Sequence, residues 1–306
     1  MDYKLLKSTA LSGHSPKEEL LLFAHQLVID KNPVEAVVSL LNPRYGGTAF
    51  CVSPAGGLIT CYHNLSLNDD GPIEDLWIHR RVVSPSYDFA GSKREKVEFV
   101  PCELPLLDDD LAKDPVDGLE PMRVSLKHQD IAFLRSLPGV SFLIPCAMDL
   151  LVGEAVVCMG YPGKVTSDQI EDAYKEINPD LAPDREEYNE LFKVGYLSLS
   201  PGPIIACNSS ALACEVATVP RFSGSPVCLL ENPRMFVGIH YRARYGKNYA
   251  LSVSVKDAGF YYLYSALVVP ELRNAVLCQE DIDAINDYLR IGTTPLLTNR
   301  KLPFRT

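Results

Sequence analysis

No run of eighteen apolar residues occurs in this chain of 306 residues, so no membrane-spanning helix is expected. The most apolar stretch, 141 to 161, is broken by Pro145, Asp149 and Glu154. No CxxC pair occurs among the nine cysteines, which argues against a structural zinc site. Their odd number and irregular spacing do not suit a disulfide framework. Most lie in apolar stretches such as AFCVS and AVVCMGY and read as buried thiols. Basic clusters are also missing. The densest are HRR at 79 to 81 and RARYGK at 242 to 247, in a chain of net charge −10, so nucleic acid is not an expected partner. The first residues, MDYKLLKSTALSGHSPKEELL, lack the charged-then-apolar order of a secretory leader. A cytoplasmic location is expected, with leaderless export left open. No metal or organic cofactor is implied.

What remains is an ordinary globular composition, 47% hydrophobic and 22% charged, enough for one large domain or two small ones. Residues 16 to 30, PKEELLLFAHQLVID, carry a helical apolar stripe. From Ala36 the character changes to short apolar runs separated by Gly, Pro and Asn: AVVSLL, TAFCVS, GLITCY, DLWIHRRVV, IAFLR, EAVVCMGYP, PIIACN, SPVCLL, MFVGIHYRA. That pattern predicts an all-β barrel or sandwich rather than alternating strands and helices. Residues 165 to 193 break it with an acidic, helix-prone insertion. The plain reading is a solvated excursion, and the other is a docking site for a regulatory protein. EDIDAINDYLR, 280 to 290, predicts a terminal helix with Leu277, Ile282, Ile285 and Leu289 on one side.

The segment RFSGSPV, 221 to 227, raises the question of function. A serine hydroxyl is a weak nucleophile at neutral pH and needs a base, which in turn needs a group to fix its tautomer. His63 closes the run LITCYH where a second strand of a hairpin gives out, a position that faces a cleft. His14, His25, His79 and His128 read as structural. Asp130, in HQDIAFLR, stands just before an apolar strand, where a carboxylate is costly to bury without a partner. The backbone N–H groups of Ser223 and Arg221 would share one small space if the loop turns tightly, and Gly224 and Ser225 are small enough to allow it. The nucleophile elbow of α/β hydrolases needs G-x-S-x-G, and here the flanking residues are Arg221 and Ser225.

In the order His63, Asp130, Ser223, the segments GTAFCVSPAGGLITCYHN, HQDIAFLRS, VVCMGYPG and FSGSPVCLLENPRMFVGIHY resemble the chymotrypsin-like serine peptidases, in the branch without a disulfide framework. The resemblance implies two six-stranded antiparallel β-barrels with an N-terminal helix, a helical insertion and a C-terminal helix. The division it implies is an extension at 1–35, a first barrel at 36–150 and a second at 151–276, followed by a helix and tail at 277–306. It implies a serine endopeptidase acting on polypeptides through a Ser-His-Asp triad and an acyl-enzyme. Ser223 attacks, His63 moves the proton, Asp130 holds His63, and the N–H groups of Arg221 and Ser223 bind the oxyanion. Two residues depart from the pattern. Arg221 stands where the family usually has glycine. Phe222 replaces the aspartate that digestive members use for activation.

Thr218 and His240 resemble the pair with which glutamyl endopeptidases and viral 3C-type peptidases hold a P1 glutamate or glutamine. They are the candidate S1 residues. Two other readings of the chain stay open. One is a catalytically silent binding module on the same fold. The other is a latent protease that waits for a partner or a cut.

Overall fold

A computed structural model describes residues 4–5, 31–41, 46–65, 75–83, 89–101, 130–139, 141–163, 197–208, 211–216, 218–244, 247–253 and 258–290. The helix expected at 16 to 30, the acidic insertion at 165 to 193 and the tail from 291 lie outside the described residues.

The chain forms two antiparallel barrels. The first uses β2 (Val37–Leu41), β3 (Gly46–Cys51), β4 (Gly57–Thr60), β5 (Trp77–Val83), β6 (Phe89–Lys96), β7 (Glu98–Val100) and β8 (Ala132–Arg135). They pair in the order β6-β5-β2-β3-β4-β8-β7. The two ends of that ladder are one stretch of chain. Only buried Val97 separates β6 from β7, so a single bent strand pairs with β5 on one side and with β8 on the other, and the ring closes with six. Full closure removes the unpaired edges that would otherwise invite aggregation.

The second barrel uses β10 (Ala155–Gly160), β11 (Ser198–Cys207), β12 (Ala211–Cys214), β13 (Pro226–Leu229), β14 (Met235–Arg244) and β15 (Lys247–Ser252). The order is β11-β10-β13-β14-β15-β12, and β12 returns to pair with β11. The run PIIAC is the second half of one long strand that begins at Ser198. Its first half, Ser198 to Pro203, pairs with β10, and the half from Ile204 to Cys207 pairs with β12. Two short strands join this sheet in parallel, β1 (Lys4–Leu5) against β11 and β9 (Ile144–Pro145) against β14. A short helix, α1 (Lys31–Glu35), precedes β2.

The expected C-terminal helix is present as α4 (Gln279–Arg290), with Ile282, Ile285, Tyr288 and Leu289 buried. A second helical stretch precedes it, and the sequence did not signal it. α2 (Ala258–Leu263), a π-helical turn (Tyr264–Val268) and α3 (Val269–Asn274) run continuously. Phe260, Tyr264, Val268 and Leu272 are all buried. At 3.6 residues per turn, a strict spacing of four drifts by about 40° per step. The wider π turn absorbs that drift and keeps the four side chains on one face. Pro270 stands near the start of α3, directly after the π turn.

This helical arm clamps the barrels. Glu271 accepts two hydrogen bonds from Arg135 of the first barrel, at 2.7 and 3.2 Å, and the Ser53 hydroxyl donates to its other oxygen. Arg234, just before β14, reaches Asp281 of α4 at 2.5 Å. One apolar core runs from the first barrel through the cleft to the helices, and a second fills the C-terminal barrel. The thiols of Cys51, Cys61, Cys146, Cys158, Cys214 and Cys228 are buried in these cores. Cys207 is half-buried and Cys278 exposed. Among the described residues no helix is long and apolar enough to cross a membrane.

Candidate active site

β4 ends at Thr60, and the chain then tightens into a 3₁₀ turn, Tyr62–Asn64, that carries His63. Asp130 lies two residues before the start of β8, the strand paired with β4. Strand pairing therefore brings the two residues together, and the aspartate holds the histidine twice. Its Oδ2 accepts from His63 Nδ1 at 2.5 Å, and its Oδ1 accepts from the His63 backbone N–H at 2.8 Å. The neighbouring peptides join in, because Tyr62 N–H donates to the Asp130 carbonyl at 3.2 Å. This arrangement fixes the proton on Nδ1 and leaves Nε2 as the acceptor. The His63 side chain retains 41% of its exposure, enough to meet a bound molecule.

Ser223 comes from the other barrel, in the turn that leads into β13. Its carbonyl is tied across the cleft. Thr48 N–H donates to it at 3.0 Å, and Asn64 Nδ2, next in sequence to His63, donates at 2.7 Å. Gly224 follows at φ +87°, where a Cβ would stand 2.1 Å from the Thr48 carbonyl oxygen, so only glycine lets the loop lie this close to β3. The Ser223 hydroxyl donates to the Tyr241 carbonyl at 3.2 Å. That bond ties the hydroxyl to β14.

Arg221 occupies the left-handed region, φ +78°. Glycine adopts that conformation freely, whereas for another residue it costs about 1–2 kcal/mol. The backbone here therefore keeps a conformation natural to glycine while the side chain is a full arginine. The Arg221 carbonyl accepts from the buried Thr48 hydroxyl at 3.3 Å. Among the described residues, neither the Arg221 nor the Ser223 N–H donates to a protein group, while Phe222, Gly224 and Ser225 all donate. Two free amide donors thus flank the serine. Phe222 itself is fully buried in the second core.

Thr218 and His240 are also brought together, with a third residue that the sequence did not mark. Thr218, His240 and Asn248 are all buried. His240 Nε2 lies 3.0 Å from Asn248 Oδ1 and 3.4 Å from Thr218 Oγ1, and Thr218 also donates to that amide oxygen. The Asn248 amide nitrogen donates to the Val216 carbonyl, which sets its orientation and makes Nε2 the protonated nitrogen of His240. Burial pulls the His240 imidazole down to about 4, against the opposing pull of Asn248 and the Phe222 carbonyl. The ring is therefore neutral near pH 7. Asn248 sits in β15 opposite Ala243 of β14, and nothing in the tripeptide KNY distinguishes it from a surface asparagine.

Cys61 Sγ, a ring nitrogen of His63 and a carboxylate oxygen of Asp130 lie within 4.8 Å of one another. The thiol donates to the His240 carbonyl, and burial holds its pKa well above the ordinary value. A thiol that stays protonated is a poor ligand. With the carboxylate committed to His63, these donors fit a hydrogen-bonded cluster better than a metal cage.

No sequence model of a known family matches the chain. No curated protein matches it in sequence either. Solved structures do match. The chain is similar to Rv3671c of M. tuberculosis H37Rv, in the inactive form of a serine-to-alanine mutant, at 16% identity and TM-score 0.50, over 83% of this chain and 96% of that one. It is also similar to Deg5, at 13% identity and TM-score 0.47 over 78% and 91% of the two chains. A serine endoprotease from Yersinia pestis matches at 14% identity and TM-score 0.46, over 80% and 65%. At this identity the likeness speaks to the fold, and with the two closed barrels the fold is chymotrypsin-like.

Proposed function

We propose that the protein is a serine endopeptidase acting on polypeptides through Ser223, His63 and Asp130. The observation that carries this reading is the double grip of Asp130 on His63, at 2.5 and 2.8 Å, beside a serine flanked by unused amide donors. An isolated structural histidine needs no such preorganisation.

In this mechanism the Ser223 hydroxyl rotates off the Tyr241 carbonyl and gives its proton to His63 Nε2 as its oxygen attacks the scissile carbonyl. Asp130 stabilises the imidazolium without taking the proton. The oxyanion is met by the Arg221 and Ser223 N–H groups, a contribution on the order of 3 kcal/mol for one such donor. His63 then protonates the leaving amine. Water attacks the acyl-enzyme by the same route in reverse, with His63 as base, and frees Ser223.

The S1 pocket is assigned to Thr218 and His240, now with Asn248. The P1 side chain is glutamine or glutamate, and the chemistry ranks glutamine first. Neutral His240 offers an N–H to an oxygen, and Asn248 already presents an amide oxygen there. A P1 amide replaces it in kind, whereas a P1 carboxylate would be buried without a counter-charge.

One observation favours a latent form of the same enzyme: the Ser223 hydroxyl rests on Tyr241. The test is labelling by a fluorophosphonate probe, comparing wild type with Ser223→Ala and His63→Ala. Labelling of wild type alone is expected, followed by a P1 profile led by glutamine. Labelling that persists in Ser223→Ala sinks the assignment. Folded wild type that never labels is either latent or the silent binding module, and labelling that returns when one terminus is trimmed identifies the latent form.

A further inference from the structure

We propose that Arg221 reads a carboxylate on the substrate, an acidic side chain within the first two residues after the cut. This deepens the peptidase reading and rests on it.

Three observations carry the inference. The first is the place of Arg221 beside the nucleophile. Ser223 lies against β14, whose Tyr241 carbonyl holds its hydroxyl, while Arg221, two residues earlier in the loop, lays its side chain against Gly163 and Gly46. The S1 cluster belongs to the β14 side, since His240 is the residue before Tyr241. A peptide with its P1 side chain at His240 has its preceding residues along β14. The residues after the cut then leave past Arg221.

The second observation is a floor built for this side chain. A Cβ added at Gly163 would stand 2.0 Å from Arg221 Cδ and 2.6 Å from its Nε. A Cβ added at Gly46 would stand 3.3 Å from its Nη1. Gly163 is not among the positive-φ residues, so its backbone would accept any side chain. Glycine is needed there for space, and Arg221 fills that space. The stem lies against both barrels, and the residue remains exposed.

The third is charge. A guanidinium is ionised at any working pH. The chain carries −10 overall, yet among the described residues no carboxylate pairs with Arg221. Arg80, Arg135 and Arg234 of the same barrels all have carboxylate partners. An unpaired, pre-positioned cation at the exit of the cleft selects an anionic group. The planar fork suits a carboxylate better than a lysine would.

The experiment uses the full chain and a peptide mixture randomised on both sides of the cut, with products sequenced by mass spectrometry. Wild type should enrich Asp and Glu over Lys and Arg at the first two positions after the cut, by about fivefold, the upper end for an exposed charge pair. The preference should fall as salt is raised, vanish in Arg221→Gln and reverse in Arg221→Glu. Arg221→Gly, which suits the left-handed backbone, should also lose it, and this variant separates lost charge from a misfolded loop. Cleavage by wild type with no charge preference after the cut overturns this inference and leaves the peptidase reading standing. Absence of both cleavage and probe labelling overturns the two together.

Discussion

The two barrels bring their halves of the site to the cleft in different states. The histidine half is set. His63 is gripped through side chain and backbone by Asp130, and its tautomer is fixed before anything binds. The serine half is held in place but not poised. Its carbonyl is fastened across the cleft, its hydroxyl points to Tyr241, and the residue two before it sits in a conformation natural to glycine. One side is organised by hydrogen bonds between adjacent strands of a single barrel. The other is a loop whose geometry depends on contacts with both. In the peptidase reading proposed above, a firmly held base would face a serine whose hydroxyl is bound elsewhere.

Three changes test that contrast. The largest effect is expected from Asp130→Asn, which should make the histidine half as unset as the serine half. With the amide in place of the carboxylate, His63 loses its fixed tautomer, and turnover should fall on the order of 10⁴-fold while the fold is kept. Rates against a P1 glutamine peptide check this, and a loss below tenfold would mean that the grip is not what prepares the base.

A smaller effect concerns His240, buried on the serine side. Its pKa in the folded chain is held down at about 4 against an ordinary 6.5. Above pH 6.5 the ring is neutral in both states and costs nothing. Between pH 6.5 and 4 the unfolded chain takes up a proton that the folded ring refuses, so stability falls as pH falls, by about 3 kcal/mol across the window. Urea unfolding at pH 7, 5.5 and 4 should show a shallower decline in His240→Gln than in wild type. Equal declines would refute the assignment.

The smallest is the floor under Arg221. Gly163→Ala places a methyl where the arginine stem lies, and should cost about 1–3 kcal/mol of stability. In an Arg221→Gly background the same substitution should cost almost nothing, because the stem is gone. A double-mutant cycle measures the coupling, and additive costs would show that the serine loop does not depend on that packing.

The parts of the site that follow from residue type in chain order were legible in the sequence. Short apolar runs punctuated by Gly and Pro described the strands, and the histidine at the end of a hairpin, the aspartate before a strand and the serine in a small-residue turn are where the structure puts them. What stayed hidden depends on three-dimensional coincidence. Asn248 is one polar residue in a strand, and only its approach to Thr218 and His240 gives it meaning. Arg221 looked like a broken motif because a sequence shows residue identity and not φ. The helix through Phe260 and Tyr264 was masked by aromatic and β-branched residues that favour strands, and by an apolar spacing of four that fits an α-helix only with a π turn inside it. The insertion at 165 to 193 and the tail lie outside the described residues.

The distribution of buried thiols has a practical consequence. Cys51 lies in β3, Cys158 in β10, Cys207 in β11, Cys214 in β12 and Cys228 in β13, and Cys61 directly follows β4. Burial keeps the thiols of Cys51, Cys61, Cys158, Cys214 and Cys228 protonated and out of reach of alkylating reagents, while half-buried Cys207 is only partly shielded. Each of the five buried thiols becomes reactive only when its own segment opens. The protein therefore carries a set of internal clocks, at least one in each barrel, and exposed Cys278 supplies the unprotected reference. Timed alkylation of the unmodified chain, read by peptide mass, would rank its strands by the ease with which they separate.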